Sequence, residues 1–306
     1  MNEILFNSVG RLRSGWRFTL YLFAFILVSA FSGVIVSALT AGIENRIFVF
    51  FVIGNFVTFA TALLLGWGSG KLLEDLPFRT LGASFAKNWL KDLSLGIGVG
   101  VFTILLSCFL AMIFGGMSFQ INQTADFNSK IYTLIISFVI FVIGAANEEV
   151  IFRGYILQTF SRANLAWLAI ILTSLFFASA HLQNPSATPI SLANTTLAGI
   201  WFGVAYLKTR NLWFPFGLHF IWNWAQGAFL GIPVSGIKEI TAAPLLQQID
   251  QGPTWLTGGH YGIEGGITCT FALIVSVGLI WFLPILKPTE EMLALTSKEN
   301  SKNNLA

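Results

Sequence analysis

Residues 134–153 read LIISFVIFVIGAANEEVIFR, an apolar run that ends in two adjacent glutamates and an arginine. A helix of about 20 apolar residues is long enough to cross the hydrocarbon core of a membrane. A charged side chain at that depth costs about 3 kcal/mol even on the milder scales, so it marks a functional site by default. Glu148 and Glu149 are therefore the first candidates for such a site.

The composition of the whole chain is that of a membrane protein. Of its 306 residues, 55% are hydrophobic and 10% are charged, whereas soluble domains carry about 25% charged residues. The net charge of +3 is spread between apolar runs, and we therefore expect no nucleic-acid partner. Cys108 and Cys269 both lie in apolar runs without CxxC spacing, which predicts neither a disulfide nor a zinc knuckle.

Eight segments are long and apolar enough to span a bilayer. We therefore predict an all-α, polytopic integral membrane bundle of about eight transmembrane helices. One membrane domain, 16–286, would lie between a cytoplasmic N-terminal segment, 1–15, and a cytoplasmic polar tail, 287–306. The predicted spans are 16–39, 47–67, 93–115, 131–160, 165–182, 190–207, 212–230 and 266–286.

The distribution of Lys and Arg predicts the orientation of these spans, because cytoplasmic loops are enriched in both residues. With a cytoplasmic N-terminus, only Arg46, Lys130 and Lys238 of the 17 Lys and Arg fall on the outer side. An even number of spans then places both termini in the cytoplasm. We expect a multi-pass protein of the plasma membrane, in a bacterium, whose oligomeric state the sequence leaves open.

The fourth span carries three charged residues close together. Glu149 and Arg153 are four residues apart, so they share a helix face and can pair. Glu148 is rotated by about 100° from Glu149 and cannot share Arg153 equally. We interpret Glu149 and Arg153 as a structural pair and Glu148 as a carboxylate that faces a polar cavity. The alternative is that all three residues only anchor helix packing.

Two later spans add polar residues at helical spacing. Phe177 and His181 share a face in the fifth span, and His219 and Asn223 share one in the seventh. Buried Glu and His together can activate a water molecule, and two hydrogen-bond donors such as His219 and Asn223 can stabilise an oxyanion. Taken singly, His181 could be an interfacial residue, and His219 with Asn223 could form a buried interhelical hydrogen bond.

The combination is more specific than its parts. The order Glu-Glu-x-x-x-Arg, Phe-x-x-x-His and His-x-x-x-Asn over about 131–230 resembles the three signature motifs of the CPBP family. This family comprises the CAAX proteases and bacteriocin-processing enzymes and is also called the Abi family. A weaker similarity to some bacterial members extends to 231–236 and 257–265, although we expect His260 and Glu264 to be ordinary loop residues.

The resemblance implies an intramembrane endopeptidase with its catalytic core at about 131–230. Its partners would be the lipid bilayer and a membrane-associated or lipidated protein or peptide, of which a prenylated CAAX protein is one example. By the family's motifs, Glu148 and His181 would activate water, and His219 and Asn223 would hold the oxyanion. Glu149, Arg153 and Phe177 would shape the site.

Whether the site needs a cofactor stays open at this point. Glu148, His181 and His219 could form a His2Glu zinc site, or the enzyme could work without a metal. The chain has no HExxH motif, and the expected pairing of Glu149 with Arg153 argues against Glu149 as the base of a zinc enzyme. We therefore prefer the reading without a metal over one with a single divalent ion such as zinc.

Two other functions are compatible with the motifs. A non-catalytic membrane scaffold or a bacteriocin self-immunity protein could retain them for folding. A proton-coupled transporter could relay protons through Glu and His, but the chain lacks the related halves or broken helices that often accompany this function.

The predicted spans also raise a geometric problem. His219 would lie about 10 Å from the inner end of its span and His181 about 25 Å from the inner end of its own. Straight helices perpendicular to the membrane would keep the two histidines apart. A tilt, a kink or a later start of the fifth span is needed to bring them into one site.

Overall fold

The computed structural model describes residues 2–8, 10–43, 46–85 and 87–297. Over these residues the chain is an all-α bundle, as the sequence predicts. The part of the predicted polar tail from 298 to 306 lies outside the described residues. The helices are α1 (Asn2–Leu5), α2 (Ser14–Leu39), α3 (Arg46–Glu74), α4 (Trp89–Ile113), α5 (Phe127–Glu149), α6 (Ile156–Arg162), α7 (Ala166–Ala180), α8 (Pro189–Thr209), α9 (Trp213–Trp224), α10 (Thr254–Thr257), α11 (Ile267–Phe282) and α12 (Glu290–Thr296).

Apolar helices coincide with all eight predicted spans. Among the described residues, five helices are long and apolar enough to cross a membrane: α2, α3 from Val52 onward, α4, the continuous segment Phe127–Arg162, and α8. The helices α7 and α11 are apolar but shorter, and α9 continues through a π-helical turn to Phe229. The membrane character of the chain is thus supported, whereas eight crossings and cytoplasmic termini stay predictions.

The connections contain a small sheet that the sequence did not reveal. Strand β1 (Met117–Ile121) follows α4, and strand β2 (Leu246–Asp250) lies in the long segment between α9 and α11. The two strands pair antiparallel over their full length. This pairing fastens the long segment to the end of α4, on the side of the bundle that we predict to face outward.

Glycines bring α4 and α9 into backbone contact. A Cβ at Gly96 would lie 2.3 Å from the carbonyl oxygen of Phe214, and one at Gly217 would lie 2.6 Å from that of Leu93. Small residues allow this close approach of membrane helices. Gly96 is seven residues beyond Trp89, the first residue of α4, so the first turn of α9 lies about 10 Å along the axis of α4. The first turn of α9 is thus packed closely against the first turns of α4.

A buried ion-pair cluster joins the ends of three helices. Glu74, the last residue of α3, accepts hydrogen bonds from Arg17 of α2 and from Arg162 of α6. The Arg162 contacts are 2.7 Å from Nη2 and 2.9 Å from Nε. All three side chains are almost fully buried. One carboxylate thus stabilises two buried guanidinium groups at the end of the bundle where α3 and α6 stop.

Candidate active site

The two glutamates lie at the point where α5 loses its regular geometry. The helix α5 ends at Glu149 and is followed by a π-helical turn, Val150–Tyr155, in which Gly154 has a non-helical ψ of −111°. Interruptions of this kind occur often at functional sites. The wider turn changes the direction of the residues that follow Glu149 and allows Arg153 to enter the bundle interior.

Arg153 is fully buried and contacts Glu149 across this turn. Its Nη1 lies 3.4 Å from Glu149 Oε1, and its Nη2 donates a 3.0 Å hydrogen bond to the carbonyl oxygen of Gly199 in α8. The guanidinium carbon is 5.0 Å and 5.1 Å from the ring centroids of Phe177 and Phe202, within range of a cation–π contact. Arg153 therefore joins the turn after α5 to both α7 and α8.

His219 lies beside both glutamates. Its Nδ1 is 2.8 Å from Glu149 Oε1, and its Nε2 is 3.6 Å from Glu148 Oε2. The imidazole stacks on Phe202 with ring centroids 4.5 Å apart and meets the edge of Phe177 at 6.0 Å. The ring is thus held by Glu149 and two aromatic side chains, with Nε2 directed toward Glu148. Sequence reasoning assigned His181 as the partner of Glu148 and did not foresee this contact with Glu149.

The two glutamates have different surroundings. The side chain of Glu149 is 1% exposed and contacts Arg153 and His219, whereas that of Glu148 is 33% exposed. Glu148 Oε2 is buried and without a hydrogen-bond partner in the described part of the chain, so the exposed part of the side chain includes the other carboxylate oxygen. Glu148 is therefore the carboxylate that a water molecule or a substrate can reach.

His181 caps the C-terminal end of α7, where its imidazole is fixed by the backbone. Its Nδ1 lies 2.8 Å from the carbonyl oxygen of Phe177. A carbonyl oxygen can only accept, so Nδ1 carries the proton and the neutral ring offers Nε2 as an acceptor. The ring also packs against that of Phe177, with centroids 4.8 Å apart. Phe177 thus contacts both histidines and Arg153.

The four predicted catalytic residues line one cavity. This cavity has a volume of about 280 Å³ and is bounded by α3, α5, α7, α8, α9 and the segment before α11. Glu148, His181, His219 and Asn223 all contribute to its wall. His219 and His181, which straight perpendicular spans would keep apart, therefore line the same cavity.

The described residues do not form a ready metal site. No three His, Cys, Asp or Glu side chains in the ranges that the structure describes are grouped as metal ligands would be. Glu148 and His219 approach each other, but His181 does not join them in such a group. The predicted Glu148–His181–His219 ligand set therefore does not fit a preformed zinc centre, which needs three or four ligands at about 2 Å from the ion.

Sequence reasoning missed Glu264 as a residue of the cavity. Glu264 lies in a short 3-10 turn, Ile263–Gly265, and its side chain lines the same cavity as Glu148. Trp222 and Ser235 both donate hydrogen bonds to its carboxylate. The sequence signal was a single carboxylate in a glycine-rich stretch, which alone is typical of an ordinary loop.

Comparison with known proteins supports the resemblance stated from the motifs. Residues 130–225 match the family described as type II CAAX prenyl endopeptidase Rce1-like. A protein of Escherichia coli, described as an uncharacterized 24.3 kDa protein, is 35% identical over 82 residues. That alignment covers 26% of this chain and 37% of the relative, so the chain matches little more than a third of that protein. The matched segment contains the two glutamates and both cavity histidines.

Proposed function

We propose that this protein is an intramembrane endopeptidase that hydrolyses a peptide bond in a membrane-associated or lipidated protein or peptide. The observation that carries the proposal is the meeting of Glu148, His181, His219 and Asn223 in one cavity among apolar helices. The match of 130–225 to a CAAX endopeptidase family supports the same reaction class.

Glu148 is the general base of the proposed reaction. A base must be able to reach a water molecule and accept its proton. Glu148 lines the cavity with a side chain that is 33% exposed, while its Oε2 is buried 3.6 Å from His219 Nε2, so the other carboxylate oxygen is the one available to a water. Glu149 is unsuited to this role, because it is buried and already contacts Arg153 and His219.

His181 would help to hold the attacking water. Its proton is fixed on Nδ1 by the carbonyl of Phe177, which leaves Nε2 to accept a hydrogen bond. A water that donates one hydrogen to Glu148 and the other to His181 would direct its lone pair at the scissile carbonyl. The packing of His181 against Phe177 keeps the imidazole in this orientation.

His219 and Asn223 would stabilise the oxyanion. They are one helical turn apart on α9 and line the same cavity. As an imidazolium, His219 donates from Nδ1 to Glu149 and from Nε2 into the cavity, and Glu149 supplies the counter-charge. The amide of Asn223 adds a second donor. Donors fixed in advance toward a developing oxyanion contribute strongly to catalysis.

The proposed reaction balances without a further reactant. Glu148 takes a proton from water as the water oxygen bonds to the carbonyl carbon, and the carbonyl oxygen becomes the oxyanion. When the C–N bond breaks, Glu148 returns that proton to the leaving amine, and the carbonyl re-forms in the new carboxyl terminus. No step passes through a metal, in keeping with the poor fit of the candidate ligands.

The membrane setting is part of the proposal. We propose eight crossings with both termini in the cytoplasm and a location in the plasma membrane of a bacterium. In that case a peptide precursor or another membrane protein is a more plausible substrate than a prenylated protein. The lipid bilayer would deliver such substrates to the cavity. The proposal does not include an oligomeric state.

Cleavage of a quenched-fluorescent peptide library by detergent-purified protein tests the function. The wild type is expected to cleave some members, and Glu148→Gln is expected to lose at least about 100-fold in rate, in the range of general-base catalysis. Glu239→Gln is the matched control, because it makes the same chemical change on an exposed loop residue. Equal rates for the wild type and Glu148→Gln would contradict the assignment. A scaffold would keep its biological function in Glu148→Gln.

A further inference from the structure

A second carboxylate, Glu264, is fixed in the wall of the catalytic cavity. Its Oε1 accepts a 3.2 Å hydrogen bond from Trp222 Nε1. Its Oε2 accepts from the backbone N–H of Ser235 at 2.7 Å and from the hydroxyl of Ser235 at 3.0 Å. A carboxylate can accept about four hydrogen bonds, so these three leave capacity for one more, on the oxygen that faces Trp222.

The backbone around Glu264 is held rigidly. Ser235 has a φ of 50°, a left-handed conformation that is rare outside glycine, and both of its donors point at the carboxylate. Asn194 Nδ2 donates to the carbonyl oxygens of Glu264 and Gly266 at 2.8 Å and 2.9 Å. Strained backbone that is supported in this way is frequent at ligand-binding sites. The carboxylate is thus positioned in advance, as a binding group should be.

The two residues of α9 that contact Glu148 and Glu264 lie about one helical turn apart. His219, which contacts Glu148, and Trp222, which contacts Glu264, are three residues apart on α9. This spacing corresponds to about 4.5 Å along the helix. A residue of an extended peptide covers about 3.3 Å, so Glu264 would face a substrate side chain one or two residues from the scissile bond.

Even with His219 as an imidazolium, the two carboxylates of the cavity wall leave its net charge negative. Among the described residues that line the cavity, Glu148 and Glu264 are the carboxylates, and none is Lys or Arg. Arg153 is fully buried behind Glu149 and is not part of the wall. A concave surface of one sign with low-dielectric walls attracts the opposite charge. The apolar part of the wall also suits the methylene stem of a long basic side chain.

We propose that Glu264 is a specificity determinant that binds a positively charged group of the substrate, a Lys or Arg side chain or a free amino group, next to the scissile bond. This inference rests on the proposed function, since it names the substrate class of the same cavity. It assigns the long segment between α9 and α11 a role in substrate selection.

The test measures binding separately from cleavage. Fluorescently labelled Ala/Leu decapeptides carry one Lys at each of the central positions, and each has a partner with norleucine there. Their dissociation constants are measured by anisotropy on Glu148→Gln protein, in which the base is absent. For at least one position the Lys peptide is expected to bind about tenfold more tightly, as one hydrogen bond to a charged group allows.

Adding Glu264→Gln in the same background is expected to remove this preference, whereas adding Glu239→Gln is expected to keep it. Equal binding of Lys and norleucine peptides at every position, including no measurable binding of either, would overturn the proposal. So would a Lys preference that survives Glu264→Gln. A merely structural Glu264 would lower the affinity of both peptides by the same factor.

The cleavage assay keeps this proposal distinct from the proposed function. Cleavage by the wild type with no Lys preference in binding would refute only the role of Glu264. The opposite result is a Lys preference in binding that depends on Glu264, together with equal cleavage rates for the wild type and Glu148→Gln. That result would refute only the peptidase.

Discussion

Replacing Arg153 by Met removes the buried cation that faces Glu149. The two side chains are 0% and 1% exposed, and their charged atoms are 3.4 Å apart. With an effective dielectric constant of about 20, this separation corresponds to about 5 kcal/mol of attraction. Removing one partner of a buried pair typically costs about 3–5 kcal/mol, because the other charge remains buried without compensation. His219 still contacts Glu149 at 2.8 Å, so we expect the lower end, about 3 kcal/mol.

The expected loss can be measured as a change in the free energy of unfolding. Titration of the protein in mixed micelles with sodium dodecyl sulfate, followed by the fluorescence of its 10 tryptophans, gives this quantity. The double variant Glu149→Gln/Arg153→Met is the control, since it removes both charges. We expect it to be at least about 1 kcal/mol more stable than Arg153→Met alone, because no buried carboxylate is left without its guanidinium.

Two outcomes would refute this reasoning. A loss of less than about 1 kcal/mol for Arg153→Met would mean that Glu149 is not an uncompensated buried charge in the variant. A double variant that is as unstable as, or less stable than, Arg153→Met would show that the cost comes from lost packing against the aromatic rings rather than from charge.

Three further changes have defined outcomes. Gly199→Ala places a Cβ 2.7 Å from the Cα of Ser174, so thermal unfolding should show a loss of about 1–3 kcal/mol in the free energy of unfolding from overpacking. The control Gly144→Ala, whose Cβ meets open space, should be nearly neutral. Equal losses for the two variants would contradict this account. Glu74→Gln should lower the unfolding free energy by about 3–5 kcal/mol, because it removes the buried carboxylate charge that pairs with Arg17 and Arg162. The cleavage rate per folded molecule should nevertheless stay unchanged, because no residue of this cluster lines the cavity, and a proportionate loss of rate would contradict that separation. A chelator such as EDTA should leave cleavage unchanged, and a loss that zinc restores would instead establish a metal enzyme.

The sequence predicted the parts of this protein that depend on local pattern. Long apolar runs predict helices regardless of their neighbours, and apolar helices are found at all eight predicted positions. The pairing of Glu149 with Arg153 follows from residues one turn apart, which a helix brings to one face. The hydrogen bond from His181 to the carbonyl of Phe177 is also local, because the two residues are four apart in the chain.

Contacts between distant segments were beyond this reasoning. The close contact of α4 with α9 depends on Gly96 and Gly217, and the sequence around neither glycine identifies its partner. The same holds for His219 against Glu149, 70 residues apart in sequence. Glu264 resembled a loop residue because its hydrogen bond to Trp222 spans 42 residues and forms only when the segment after α9 folds back over the cavity.

The most direct test of the central claim is a single-turnover cleavage in H₂¹⁸O with enzyme in excess, analysed by mass spectrometry. If water activated by Glu148 attacks the scissile carbonyl, the new carboxyl terminus will carry one ¹⁸O, and the peptide that contains Glu148 will carry none. An unlabelled product together with ¹⁸O in Glu148 would contradict the account, because it would show that the carboxylate itself attacks the substrate.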